Sequence, residues 1–88
     1  STKSVGLIYY KMKNCKYCKI FEKELWPKIV NYCKKNNIKT YVVQRELYPE
    51  LIPKIIKTYP SLMRYDNHYK VKVFNKKRNF SNIKRFLI

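Results

Sequence analysis

The stretch that decides the fold of this chain is VGLIYYKMKNCKYCKIFEKELW, residues 5–26. Its first part, Val5 to Tyr10, is a short run of Val, Leu, Ile and Tyr, which is the composition of a buried strand. Beyond it the apolar residues recur at helical spacing, at Phe21, Leu25 and Ile29. The pair Cys15 and Cys18, spaced Cys-x-x-Cys, therefore falls where a predicted strand ends and a predicted helix begins.

The position of this cysteine pair favours thiol–disulfide exchange. Two intervening residues allow both sulfurs to close one short ring. The free N–H groups and positive dipole end of a helix N-terminus stabilise a thiolate on Cys15. The residues alone leave two alternatives open. The pair is either half of a zinc site, for which Cys33 and His68 are the other candidate ligands, or two incidental buried cysteines.

Length and composition limit the class of protein. Eighty-eight residues predict a single domain, 1–88, and the 45% hydrophobic content suffices for a core without disulfide staples. No apolar run approaches the ~18 residues of a membrane span, so we expect no membrane partner. No signal peptide is recognisable, although a chain that starts at Ser1 leaves a removed leader open. An odd number of cysteines leaves a thiol free, which favours a reducing, cytoplasmic location.

The net charge of +16 raises the question of nucleic acid. Lys, Asn, Ile and Tyr make up nearly half of the chain and Ala is absent, as in AT-rich coding sequences of some large DNA viruses and parasites. The basic residues are dispersed, so we expect a solvated basic surface that attracts acidic partners at low salt. Nucleic acid is not the expected partner. A basic binding module remains an alternative, and its candidate patch is Tyr69, Lys70, Lys72, Lys76, Lys77 and Arg78.

The rest of the pattern predicts alternating strands and helices. The predicted strands are Val5–Tyr10, Ile38–Gln44, Ser61–Tyr65 and Tyr69–Phe74, with a turn at Asp66 and Asn67. The predicted helices are 17–35, a short one within 47–57 whose firm part starts near Pro53, and 79–88, capped by Asn79 or Ser81. Pro27 is expected to break the first helix, with Trp26 anchored in the core.

The order β-α-β-α-β-β-α, with the cysteine pair after the first strand, resembles the minimal thioredoxin fold. That fold is an α/β structure with a four-stranded mixed sheet flanked by helices. A second marker is TYPSL, residues 58–62, just before the third strand. Thioredoxins, glutaredoxins and protein disulfide isomerases carry a cis-proline there, facing the cysteine pair. The resemblance implies a cis Tyr59–Pro60 peptide, and a Tyr59 backbone that pairs with an extended substrate.

The resemblance also implies an activity. It is that of a dithiol oxidoreductase that exchanges disulfides with cysteine-containing proteins, without a cofactor or metal and as a monomer. The subfamily stays open, because Tyr17 is similar to the glutaredoxin Cys-Pro-Tyr-Cys but Lys16 replaces its Pro. Asn75 and Lys76 replace the glutaredoxin Gly-Gly, and Tyr9 stands where thioredoxins bury an acid. Glutathione, a thioredoxin reductase and a sulfhydryl oxidase are the candidate electron partners.

The motif assigns roles to individual residues. Cys15 is the attacking sulfur and Cys18 resolves the mixed disulfide. The nearby cations are expected to lower the pKa of Cys15 below the ~8.5 of a free thiol; they are Lys11, Lys13, Lys16 and Lys19. We expect a potential nearer about −200 to −230 mV than about −270 mV. Tyr17 is expected to pack beside the sulfurs, Cys33 to be a buried core thiol, and His68 to lie in a turn.

Overall fold

Strands and helices alternate along the chain in the computed structural model, which describes residues 5–68 and 70–88. The strands are β1 (Val5–Lys11), β2 (Ile38–Gln44), β3 (Ser61–Asp66) and β4 (Val71–Val73). The helices are α1 (Lys16–Glu24), α2 (Trp26–Lys35) and α3 (Phe80–Phe86), with a 3-10 turn at Pro49–Leu51. Within the described ranges, none of the helices has the length and apolar character needed to cross a membrane.

The four strands form one mixed sheet in the order β2-β1-β3-β4. β1 pairs in parallel with β2, from Val5 opposite Ile38 to Lys11 opposite Gln44, and antiparallel with β3. β3 pairs antiparallel with β4. This is the four-stranded mixed sheet of the minimal thioredoxin fold, as the sequence predicts.

The predicted first helix is divided in two at Leu25. Pro27 lies in the first turn of α2, where it lacks the N–H that a continuous helix would use and where its ring would meet the preceding turn. The Leu25 N–H still bonds the Phe21 carbonyl at 2.9 Å, and the Ile29 N–H bonds the Leu25 carbonyl at 3.0 Å. The predicted break at Pro27 is confirmed, and Trp26 packs against the core as expected.

The predicted helix within 47–57 is wrong. Only the 3-10 turn Pro49–Leu51 forms, and Ile52 is extended with φ −91° and ψ 112°. The cause is Pro53, which disfavours helical backbone at the residue before it and has no N–H to bond the Pro49 carbonyl. The segment continues as turns, with the Ile56 N–H bonding the Pro53 carbonyl at 3.0 Å.

The C-terminal helix α3 has side-chain partners at both ends. Asn79 is its N-cap and accepts from the Asn82 N–H at 2.8 Å, which confirms one of the two predicted caps. Arg64 of β3 donates to the Phe86 and Ile88 carbonyls, each at 3.0 Å, and so satisfies acceptors left free at the helix end. β4 is shorter than the predicted Tyr69–Phe74, and Tyr69 lies outside the described residues.

The main core lies between one face of the sheet and the three helices. Leu7 and Tyr9 of β1 and Leu62 of β3 supply the sheet side of this core. The helices supply Cys18, Phe21, Ile29, Cys33, Ile83 and the adjoining Leu87. Because β1 is paired along both edges and buried on this face, it positions the loop that follows it, which carries the cysteine pair.

Asn37 offers a test of the backbone at the end of α2. It follows the C-cap Asn36 and has a φ of 56°, a left-handed conformation that Asn and Gly adopt more readily than other residues. We expect Asn37→Val to lower the free energy of unfolding by about 1–2 kcal/mol, and Asn37→Gly to leave it near the wild-type value. Urea unfolding followed by Trp26 fluorescence measures both, and equal stability of the two variants would contradict the assignment.

Candidate active site

Cys15 is the N-cap of helix α1. Its backbone is extended, and its Sγ accepts a hydrogen bond from the Cys18 N–H at 3.1 Å. Asn14, just before it, has a φ of 59°, which an Asn tolerates and which turns the chain from β1 into the helix. The sulfur of Cys15 therefore occupies the position where a helix N-terminus stabilises negative charge.

Cys15 and Cys18 form a disulfide, with their Cα atoms 5.1 Å apart. Cys15 is half-buried, whereas Cys18 is 1% exposed and belongs to the main core. A substrate can therefore approach Cys15 from solvent, while Cys18 is reached only through Cys15. This difference in access matches the predicted roles of attacking and resolving cysteine, which remain predictions.

The Tyr59–Pro60 peptide bond is cis, as the resemblance predicts. The Tyr59 carbonyl oxygen lies 3.9 Å from Cys15 Sγ, although the two residues are 44 positions apart. Pro60 is buried, and the next residue, Ser61, pairs with Tyr10 at the carboxyl end of β1. The sheet register thus brings Tyr59 and Cys15 together, whereas a substrate contact with Tyr59 remains a prediction.

The lysines expected to tune the thiol are not equivalent in the structure. Lys13, Lys16 and Lys19 are exposed, and the Lys13 N–H bonds the Glu46 carboxylate at 2.8 Å. Lys11 instead forms an ion pair with Glu22, with 2.9 Å between Nζ and Oε2, so its charge is largely compensated. Tyr17 is 63% exposed, so most of its ring faces solvent instead of packing on the protein.

A partly buried network that reaches the backbone of Cys18 was not anticipated from the sequence. The Tyr9 hydroxyl donates to Glu22 Oε2 at 2.7 Å, and it also lies 3.4 Å from the Cys18 carbonyl oxygen. Burial and the hydrogen bond to Glu22 raise the pKa of Tyr9 far above its usual range. The sequence signal for this network is that Glu22 is four positions after Cys18, and so on the same helix face.

The charged state of Glu22 is favoured within this network. Desolvation raises its pKa, but the hydrogen bonds from Lys11 and Tyr9 outweigh desolvation, so that the pKa of Glu22 is below its usual value. The Glu22 carboxylate, which α1 supplies, is thus linked through the Tyr9 hydroxyl to the backbone carbonyl of Cys18. The sequence analysis missed this contact of Glu22.

The remaining cysteine and histidine lie away from this network. Cys33 is a free thiol buried in the main core, as predicted, and burial raises its pKa to about 11. His68 is exposed in the turn after β3, where its N–H bonds Asp66. In the described ranges, 5–68 and 70–88, no three His, Cys, Asp or Glu side chains form a group that could hold a metal ion.

These features define a class of protein. A four-stranded mixed sheet, a Cys-x-x-Cys disulfide at the start of α1 and a facing cis-proline together make this chain a thioredoxin-fold protein with a redox-active pair. A Cys-x-x-Cys disulfide at a helix N-terminus is an arrangement suited to thiol–disulfide exchange.

Solved structures support the fold. The first thioredoxin domain of mouse protein disulfide-isomerase A4 is 18% identical with a TM-score of 0.76, over 96% of this chain and 61% of that one. The first two thioredoxin domains of Saccharomyces cerevisiae Eps1p are 20% identical with a TM-score of 0.66, over 96% and 34%. Thioredoxin 1 of Thermosipho africanus is 26% identical with a TM-score of 0.63, over 93% of each chain.

The similarity covers only part of two of these solved structures. This chain spans about three fifths of the mouse isomerase structure and about a third of the yeast one. At 18% and 20% identity, those two structures show the fold alone. No protein-family model and no curated protein sequence matches the chain.

The lowered pKa of Glu22 predicts how stability depends on pH. Such a carboxyl stabilises the folded state above its unfolded pKa of about 4.3, and this contribution is lost as the pH falls through the folded pKa. We expect Glu22→Gln to be less stable than the wild type at neutral pH, and the difference to shrink below about pH 4. Urea unfolding at several pH values from neutral pH to below about pH 4 measures this difference in the free energy of unfolding. Glu24→Gln, at an exposed position of α1, is the control and should show a smaller difference.

The exposed lysines near Cys15 predict a charge effect on its thiol. A unit charge about 8 Å away in water is worth about 0.5 kcal/mol, so replacing Lys13, Lys16 and Lys19 by Gln should raise the pKa of Cys15 by about 0.4 per charge at low salt. The pH dependence of Cys15 alkylation by iodoacetamide measures this. The control replaces Lys70, Lys72 and Lys76, which should leave the pKa unchanged. An equal effect of both sets would contradict local tuning.

Proposed function

We propose that this protein is a thiol–disulfide oxidoreductase that exchanges disulfides with cysteine-containing protein substrates. The observation that carries the proposal is the environment of Cys15 Sγ. Cys15 is half-buried, and its sulfur accepts the Cys18 N–H at 3.1 Å at the start of α1 and lies 3.9 Å from the Tyr59 carbonyl oxygen. One residue thus combines a site that stabilises a thiolate with a neighbouring backbone group that can bind an extended peptide.

In the reducing direction, the first step forms a mixed disulfide. The Cys15 thiolate attacks one sulfur of a substrate disulfide, the substrate S–S bond breaks, and the other substrate sulfur leaves as a thiolate that takes up a proton. The α1 N-terminus and the Cys18 N–H favour the charged form of Cys15 before this step. The substrate backbone beside Cys15 would pair with Tyr59.

The second step releases the substrate. Cys18 loses its proton, attacks Cys15 Sγ and closes the disulfide, while the second substrate sulfur leaves as a thiol. Two electrons pass from the cysteine pair to the substrate, and the protein is left oxidised. Because Cys18 is buried next to Cys15, this intramolecular attack competes well with any external thiol.

Two candidate functions differ in the partner that returns the cysteine pair to its starting oxidation state. A thioredoxin reductase or a sulfhydryl oxidase would act on the pair directly, in opposite directions. A glutathione-dependent glutaredoxin is the second candidate. One observation bears on it: the cations Lys76 and Arg85, which could attract the carboxylates of glutathione, line a cleft of about 490 Å³ whose lining does not include Cys15 or Cys18. Against it, Asn75 and Lys76 stand where glutaredoxins have Gly-Gly, so we propose direct exchange with proteins as the main activity.

Substitution of each cysteine tests the proposal. We expect Cys15→Ser to lose catalysis of insulin reduction, so that the rate falls to that of dithiothreitol alone, because the attacking sulfur is lost. Reduced Cys18→Ser, mixed with insulin in the absence of dithiothreitol, should accumulate mixed disulfides, visible on non-reducing gels and by mass spectrometry, because no second thiol resolves them. Cys33→Ser is the matched control and should keep wild-type turnover, since Cys33 is a buried free thiol that takes no part in the disulfide.

Two outcomes would contradict this assignment. Near-normal turnover of Cys15→Ser would remove its role as nucleophile, and stoichiometric zinc in the reduced protein would point to a metal site. The reductant is identified in the same assay. Saturable turnover of hydroxyethyl disulfide with glutathione favours the glutaredoxin candidate, whereas weak turnover there with active insulin reduction favours the main proposal.

A further inference from the structure

The two faces of the sheet are covered unequally. Helices α1, α2 and α3 pack on the face that carries Leu7, Tyr9 and Leu62. The opposite face carries a second cluster of Tyr10, Met63 and Ile56, against which Ile52 also packs. In residues 5–68 and 70–88, the cover of this second face comes from the 47–57 segment and not from a helix layer. Because β1 and β2 are parallel, and parallel strands are ordinarily covered on both faces, this is an unusual exposure.

Beyond the 47–57 segment this second face forms an open apolar groove of about 450 Å³. Its lining residues are Ile8, Tyr41, Met63, Tyr65 and Val71. Tyr41 is 46% exposed and Val71 is 56% exposed, so large apolar side chains meet water here. We call these five residues the open groove.

The floor of the open groove is shaped by the single glycine of the chain. A β-carbon on Gly6 would come within 2.1–2.4 Å of Tyr65 ring atoms and its hydroxyl, so a glycine is needed for this side chain to lie over β1. Tyr65 therefore extends from β3 over Gly6 of β1 and lines the groove.

The charge of this face indicates which charge a bound partner would carry. By sheet register, the strand residues on this face are Gly6, Ile8, Tyr10, Lys39, Tyr41, Val43, Ser61, Met63, Tyr65, Val71 and Val73. Lys39 is the charged residue in this set, and the set has no acid. The bordering 47–57 segment carries exposed Lys54 and Lys57 against Glu50. With a net charge of +16, a second copy of this chain would be repelled, whereas an acidic partner would be attracted.

We propose that the open groove docks an amphipathic helix of an acidic partner protein. The apolar side of this helix would fill the groove, and its acidic rim would face Lys39, Lys54 and Lys57. A helix about 10 Å across fits a sheet whose outer strands are about 14 Å apart, and a helix layer is the usual cover of such a sheet. The apolar lining disfavours nucleic acid, whose phosphates need cations along the groove. This inference does not rest on the proposed redox function.

The test uses a defined probe in place of a natural partner. The probe is a synthetic peptide of about 18 residues, about five helical turns, with Leu along one face and Glu on the others. A second peptide has Lys in place of Glu, and a third has the acidic composition in scrambled order. Each is titrated into the isotope-labelled protein at about 0.15 M salt, and the amide shifts are followed by NMR. We expect saturable binding of the first peptide, with shifts confined to the groove strands, and weaker, diffuse effects of the other two.

Two neighbouring residues of β2 provide the matched variants. Tyr41 lines the groove, whereas Val42, 49% exposed, points to the opposite face, and Thr at either position keeps strand propensity. Tyr41→Thr should raise the dissociation constant of the amphipathic acidic peptide about tenfold, because an aromatic contact is lost. Val42→Thr should leave it unchanged.

Four results would overturn the proposal. The first is an equal loss of affinity in Tyr41→Thr and Val42→Thr. The second is that shifts from the amphipathic peptide spread over the basic surface or centre on Cys15. The third is concentration-dependent dimerisation that Tyr41→Thr removes, which would make a second copy the occupant. The fourth is tighter binding of single-stranded oligothymidine to the groove strands than of the acidic peptide.

Discussion

The double pairing and burial of β1 is the constraint on which the rest of this structure depends. β1 is bonded to β2 on one edge and to β3 on the other, while Leu7 and Tyr9 are fully buried under the helices. Its carboxyl end therefore has a fixed place beside the start of β3, and the chain must turn there into α1. The meeting of Cys15 with Tyr59 follows from this arrangement, because each residue sits just beyond one end of a paired strand.

Electrostatics in the site act at two levels. In the proposed mechanism the helix N-terminus and the exposed lysines favour a thiolate on Cys15. The carboxylate of Glu22 is linked through the Tyr9 hydroxyl to the backbone carbonyl of the buried Cys18. Tyr9 and Lys11 hold this carboxylate by hydrogen bonds and an ion pair. The two sulfurs therefore have different environments, because Cys15 is half-buried near exposed lysines and Cys18 is buried in the core. The sequential steps of the proposed exchange need this difference.

The prolines of the 47–57 segment shape the other side of the molecule. Pro53 keeps Ile52 extended and prevents a helix that would otherwise cover this face of the sheet. Ile52 and Ile56 still bury the end of the face near Tyr59, but the far end stays open. Local backbone chemistry at one proline thus determines both how the site end of the sheet is closed and how much apolar surface is left exposed elsewhere.

The sequence alone determined the features that depend on neighbours in the chain: the strand Ile38–Gln44 with its bounds, the helix break at Pro27 and the cysteine pair at a strand-to-helix junction. It also narrowed the cap of the last helix to Asn79 or Ser81. The resemblance of 58–62 to a known motif predicted the cis bond at Pro60. The error within 47–57 is also local, because Pro53 prevents the helix that the spacing of Leu47, Leu51 and Ile55 favours. Tertiary structure decided what depends on distant residues. Tyr9 finds Glu22 across 13 positions, and Tyr65 lies on Gly6 from another strand. Such contacts leave no periodic signal, because they arise only when the sheet register brings separate segments together.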